Sequence, residues 1–203
     1  MIVLGGNNMN FKTTHLFVLA SASPRRKELF SLLNVPFEIV TSDVEETSVT
    51  AQNVQQYVTE VALLKTRDVA KKCPNKTVIG ADTIVAYNDT LLHKPKSKEE
   101  AIKHLQTLSN DTHTVLTAVA ILAPNGQEFT FVEETKVVFK DVPQQLIEAY
   151  VDSGDPFDKA GGYGIQTDGV FFVDRIEGDY NNVVGLPIAS LVENLLSLRY
   201  ISI

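Results

Sequence analysis

Six consecutive residues, Ser21-Ala22-Ser23-Pro24-Arg25-Arg26, bring two hydroxyls and two guanidiniums to the end of a short apolar run. Serine before proline is a helix-start signal, with Ser23 at the cap and Pro24 at the first helical position. Backbone N–H groups at a helix N-terminus carry partial positive charge and bind phosphate. Arginine forks match phosphate oxygens in pairs. Cations in a first helical turn oppose the macrodipole, so stability alone does not select Arg25 and Arg26. The alternative is a capped surface helix with solvated arginines. No Gly-x-x-x-x-Gly-Lys-Ser/Thr phosphate loop occurs in the chain.

Asp82 stands inside the run Val78-Ile79-Gly80-Ala81-Asp82-Thr83-Ile84-Val85. Aspartate is depleted in strands, and its charge is not buried unpaired. A metal ion or a general-base role would supply the partner. A structural carboxylate holding amides or an arginine is the alternative. Lys65 falls on the helical stripe of Val54, Val58, Val61 and Val69, where an apolar residue is expected. Its ammonium reaches either a phosphate in a cleft or solvent. Asp43, Glu45 and Glu46 form an acidic loop that could supply oxygen ligands to a hard cation or could simply be solvated. Lys94 before Pro95 is a weak signal, since surface turns often carry lysine. Lys159-Ala160-Gly161-Gly162-Tyr163-Gly164-Ile165-Gln166 is dense in glycine. Such a loop lets backbone amides approach a ligand, and Gln166 offers a donor and an acceptor for a base edge. A flexible turn is the alternative there. His93 and His104 have no partner at metal-ligand spacing, so no zinc site is expected.

Elements to position these residues are legible in order. Apolar runs at 16–20, 37–41 and 77–87 read as strands, the last one central. Helical periodicity covers 52–72, 98–108 and 143–151, and Pro187 opens a last helix to about residue 198. Strands at 114–123 and 129–140 are joined at Pro124-Asn125-Gly126 as a hairpin, and a further strand is expected at 170–176. Alternating strands and helices with an antiparallel hairpin give an α/β fold with a mixed sheet and flanking helices.

A chain of 203 residues suits one domain, expected at 15–203 after an N-terminal extension at 1–14. The 44% apolar content supports a packed core, and the net charge of −7 argues against a nucleic-acid partner. One cysteine, Cys73, forms no internal disulfide, so a reducing, cytoplasmic setting is expected. No apolar run reaches a membrane span, and the first ten residues make a poor signal peptide.

Six motifs in order resemble those of the Maf (septum-formation) proteins, which are nucleoside triphosphate pyrophosphatases. They are the 21–26 segment, Gly80-Ala81-Asp82-Thr83, Lys94-Pro95, Glu134-Thr135, the 159–166 loop and Asn182-Val183-Val184-Gly185-Leu186-Pro187. The resemblance runs over about 16–196. It implies two lobes around a cleft, commonly in a homodimer, with Asp82 as the catalytic carboxylate and Glu46, Lys65 and Lys94 in the site. Arg25, Thr83 and Gln166 match the subgroup that acts on dTTP and UTP. The methyl-GTP subgroup carries tryptophan after the proline, and this chain has none. Ala118 and Asp168 stand where the family often has glycine.

Water attack at the α-phosphorus is expected, with magnesium or manganese held by Glu46 and Asp82, or with one of the two orienting and deprotonating the water. Ser23, Arg25, Arg26, Lys65 and Lys94 would bind the triphosphate, and Thr83 and Gln166 would contact the base or shape its pocket. The rival expectations are a non-catalytic nucleotide-binding regulator of cell division and a housecleaning pyrophosphatase for modified nucleotides.

Overall fold

The computed structural model describes residues 9–45 and 49–203. Its strands are β1 (Phe17–Leu19), β2 (Phe37–Ile39), β3 (Thr77–Tyr87), β4 (Thr90–Leu92), β5 (Thr112–Leu122), β6 (Glu128–Phe139) and β7 (Val173–Glu177). They form one sheet in the order β2-β1-β3-β5-β6-β7, with β4 also paired to β3. β1 runs parallel to β2 and β3, and every other pairing is antiparallel. The helices are α1 (Pro24–Ser31), α2 (Val54–Lys72), α3 (Lys98–Leu108), α4 (Gln144–Asp152), α5 (Tyr180–Val184) and α6 (Ile188–Ser197). The mixed α/β architecture expected from the sequence is the one observed.

β3 is buried on both faces, which is why its sequence reads as an almost continuous apolar run. Ile79 and Ala81 pack with Phe30, Leu191 and Leu195 on one face. Ile84 and Ala86 pack with Val58 and Ala62 of α2 on the other. One edge of β3 is paired to β5 from Val78 to Ala86. The opposite edge carries β1 over Thr77, Val78 and Ile79, and β4 over Val85, Ala86 and Tyr87. Between them, residues 80–84 face no strand on that side among the described residues. That break lies just past the C-terminal end of a parallel strand, where open α/β sheets place their ligands.

The elements differ from expectation in a few places. α2 begins at Val54 because Asn53 caps it, accepting from the Gln56 amide. β4 was not expected. Its hairpin turns on Asn88 and Asp89, both left-handed (φ 47° and 58°), a two-residue turn made without glycine. α5 is also an addition, five residues capped by Asp179 and too short to show a periodic stripe. The strand expected at 170–176 begins at Val173, and residues 168–172 form a 3-10 turn. Packing overrides β propensity there. Gly169 lies against the Gly164 backbone, and Phe172 is buried beside Phe139 and Tyr150. Within the segment expected as an extension, Phe11 is buried and Lys12 pairs with Ser202.

A separate core cluster lies beyond the break, built from α3, α4, Tyr163 and Phe172. His113 of β5 is buried in it, edge-on to Phe139 and Tyr163, with Nε2 2.8 Å from the Tyr163 hydroxyl. Burial lowers its pKa from 6.5 to about 4. The folded state therefore favours the neutral ring. That contribution is fully present above pH 6.5 and is lost as pH falls toward 4. One pKa unit corresponds to about 1.4 kcal/mol, so the loss is expected to reach about 2 kcal/mol at pH 5 and about 3 kcal/mol at pH 4. Urea unfolding of the protein and of His113→Gln across pH 4–7 checks this. The variant is expected to lack this component of the acid loss.

Candidate active site

A cleft of about 430 Å³ opens at the break beside β3, a size suited to a small-molecule ligand. Its lining combines the 20–26 turn, Lys65, Asp82, Thr83, Lys94 and residues of the 158–167 and 183–185 segments. Val85 and Tyr163 come from the cluster around α3 and α4, and Ile165 and Val184 from the cluster around α1 and α6. The cleft thus lies between two lobes.

Strand alternation puts Gly80 and Asp82 on the same face of β3, the face that α2 covers. The two elements approach closely. A Cβ on Gly80 would collide with Thr66 Oγ1. The residue before Thr66 is Lys65, and its Nζ donates to Asp82 Oδ1 at 2.7 Å. Asp82 is 7% exposed. The residue that interrupts the apolar stripe of α2 is therefore paired with the carboxylate that interrupts the apolar run of β3.

On the other side of the cleft, β1 ends and the chain turns into α1. Ser23 caps the helix, with its Oγ 3.4 Å from the Arg26 amide, and the Ser23 amide donates to Ser21 Oγ at 3.2 Å. Both serine hydroxyls are thus engaged with the turn's own amides. Arg26 Nε donates to the Gly185 carbonyl at 2.8 Å, and Nη2 donates to Thr83 Oγ1 at 2.9 Å. Gly185 has φ of 120°, a conformation that side-chain-bearing residues rarely adopt. Arg25 pairs with Asp158 at 3.3 Å. Partial loss of hydration works against the charge of the exposed Asp158, but the hydrogen bond from Lys159, with Arg25 behind it, holds its carboxyl below the usual range.

The glycine-rich loop is pinned. Lys159 Nζ, almost fully buried, donates to Asp158 Oδ1 at 2.6 Å and to Asp155 Oδ1 at 3.0 Å. Thr167 and Tyr150 both donate to Asp155 Oδ2 at 2.6 Å, and the Gly164 amide donates to the Tyr150 hydroxyl at 3.1 Å. Burial and the Asp155 carboxylate push the Tyr150 phenol above its ordinary pKa, so it stays a donor.

Of the residues singled out in the sequence, Ser23, Arg25, Arg26, Lys65, Asp82, Thr83, Lys94 and Gln166 all line this one cleft. Lys94 and Gln166 are exposed at its walls. Glu46 lies outside the described residues. Asp43, from the same acidic stretch, is drawn to Lys72 at the end of α2 (2.9 Å). Among the described residues, no group of three or more His, Cys, Asp or Glu could hold a metal ion. Magnesium commonly takes only one or two carboxylates and completes its shell with substrate phosphates. Asp82 on the cleft wall fits that donor set.

Sequence reasoning missed Asp155, Asp158, Thr117 and the carbonyl of Gly185. A backbone carbonyl leaves no trace in residue type, and Asp155 and Asp158 lie just outside the glycine-rich motif at 159–166. The motif 182–187 was visible without a role, and its glycine was the available signal.

The fold is shared with a HAM1 protein from Coxiella burnetii, at a TM-score of 0.55 and 17% identity over 91% of this chain and 100% of that one. The Maf-like protein family matches residues 16–198, and the chain belongs to that family. A dTTP/UTP pyrophosphatase from a Geobacillus species is 49% identical over 183 residues, 90% of this chain and 98% of that protein. A dTTP/UTP pyrophosphatase from Bacillus cereus is 51% identical over 178 residues, 88% of this chain and 93% of that protein.

The close seat of α2 on β3 yields a prediction. Gly80→Ala is expected to cost about 1–3 kcal/mol by overpacking against Thr66. Adding Thr66→Ala, which removes the nearest atom, is expected to restore part of that loss. Denaturant midpoints of the two variants and the parent protein measure both effects.

Proposed function

We propose that this chain is a nucleoside triphosphate pyrophosphatase that converts dTTP and UTP to the monophosphate and pyrophosphate. The observation that carries the reading is the Lys65–Asp82 pair on the wall of a cleft that also holds Arg25, Arg26 and Lys94. Basic side chains there suit a polyphosphate, and the carboxylate suits an attacking water. Relatives at about half identity over most of the chain carry the name dTTP/UTP pyrophosphatase, which supports the same reaction and bases.

In this reading Ser23, Arg25, Arg26, Lys65 and Lys94 hold the triphosphate in line for attack. Asp82 orients a water at the α-phosphorus and takes its proton. The water oxygen bonds to that phosphorus, the bridge to the β-phosphate breaks, and pyrophosphate leaves. Thr83 and Gln166 shape the end of the cleft that takes the pyrimidine. Asp82 and Glu46 would hold magnesium or manganese, which would stabilise phosphate charge and lower the pKa of a bound water.

We also propose a cytoplasmic homodimer. Cys73 is a free thiol, in keeping with a reducing compartment, and no helix among the described residues is long and apolar enough to cross a membrane. The dimer rests on the family resemblance.

Purified protein with magnesium and dTTP or UTP is expected to release pyrophosphate. Asp82→Asn is expected to lower turnover about a hundredfold or more while the protein stays folded. Orthophosphate as the first product would refute attack at the α-phosphorus. A panel of CTP and modified pyrimidine triphosphates separates strict dTTP/UTP use from a housecleaning role.

A further inference from the structure

Two of the sequence motifs, Glu134-Thr135 and the start of 182–187, place polar side chains away from the cleft. Thr135 and Asn182 are fully buried, and so is Thr117 on β5. These three are joined to Arg26 through Thr83.

The direction of each hydrogen bond follows from donor and acceptor supply. Asn182 Nδ2 lies 3.0 Å from the Val115 carbonyl, which only accepts, so the amide's orientation is set. Nδ2 also donates to Thr135 Oγ1 at 2.9 Å. Thr135 Oγ1 accepts from the Asp179 amide and donates to the Asp179 carbonyl, both at 3.0 Å, which uses its full capacity. Helix α5 is thereby fixed on β6. The carbonyl of Asn182, in the last turn of α5, accepts the Thr117 hydroxyl at 3.0 Å. Thr117 has then used its proton, so the 2.9 Å contact with Thr83 runs from Thr83 to Thr117. Thr83 in turn accepts from Arg26 Nη2.

Without Thr117, the Thr83 proton has the Gly185 carbonyl as its other acceptor among the described residues, 3.5 Å away. That is the group already holding Arg26 Nε. Losing the buried acceptor turns Thr83 into a competitor for the Gly185 carbonyl, one of the guanidinium's anchors beside Thr83 and Ser21. Arg26 itself opposes the dipole of α1, so such anchors help to set its place.

We propose that Thr117 is a positioning residue. It fixes the direction of a hydrogen-bond chain, Arg26 to Thr83 to Thr117 to the Asn182 carbonyl, that holds Arg26 on the cleft wall. The kinetic consequence rests on the reading of Arg26 as a phosphate ligand. The structural consequence does not.

The test uses the full chain and three variants, Thr117→Val, Thr117→Ser and Arg26→Gln. In nucleotide-free protein, the Arg26 Nε–H proton, assigned by its loss in Arg26→Gln, is expected to exchange with water about fivefold faster in Thr117→Val. Thr117→Ser is expected to stay within about twofold of the parent. With magnesium and dTTP, the KM of Thr117→Val is expected to rise about tenfold, the scale of one hydrogen bond to a charged group, while kcat changes far less. In an Arg26→Gln background the same substitution is expected to move KM less than about twofold, because interacting residues are non-additive. Unchanged exchange in Thr117→Val, or an equal KM change in both backgrounds, overturns the proposal. Thr117→Ala replaces Thr117→Val in every arm if the valine variant does not fold. Should the parent protein release no pyrophosphate, the functional reading fails, and the exchange measurement still decides the role of Thr117.

Discussion

Asp82 sits nearly buried in the middle of a central strand, and an isolated charge there would be opposed by several kcal/mol of lost hydration. Lys65 answers it at 2.7 Å, and the surrounding structure is arranged so that it can. Gly80 has no side chain, so α2 lies close enough for Thr66 to fill the space and for Lys65 to reach across. β1 ends at Leu19 and β4 joins only at Val85, so the carboxylate opens onto a cleft rather than onto a neighbouring strand. Buried pairs of this kind seldom add net stability over an apolar replacement. Stability alone therefore does not select the pair, which leaves it free for the proposed chemistry.

The opposite wall answers a second electrostatic problem. Arg25 and Arg26 occupy the first turn of α1, where the helix dipole repels cations. Each is held by an acceptor from a distant segment: Asp158 for Arg25, Gly185 and Thr83 for Arg26. Those acceptors are themselves tied down, Asp158 by Lys159 and Thr83 by Thr117. Positive charge is therefore preorganised on the wall before any anion arrives, which lowers the cost of binding one.

Much of this was legible in the residues. Lys65 broke an apolar stripe, Asp82 broke an apolar strand, and Ser23-Pro24 marked a helix start, and each signal led to the cleft. The long strands and helices were legible because their periodicity runs for ten residues or more. What escaped was short or carried by the backbone. β4 and α5 are three and five residues long, and neither lies in a longer apolar run like those that marked the equally short β1 and β2. The run Val170-Phe171-Phe172 looked like a strand because of its composition, and burial of Phe172 bent it into a turn. The Gly185 carbonyl could not be inferred from any side chain. Thr117, Thr135 and Asn182 are ordinary polar residues in sequence, and only their complete burial marks them.

In the proposed reaction, water attacks the α-phosphorus of a bound triphosphate. Turnover of dTTP in water enriched in oxygen-18, followed by mass spectrometry of the products, tests it most directly. One labelled oxygen is expected in the nucleoside monophosphate and none in pyrophosphate. Label in pyrophosphate or in orthophosphate would contradict it.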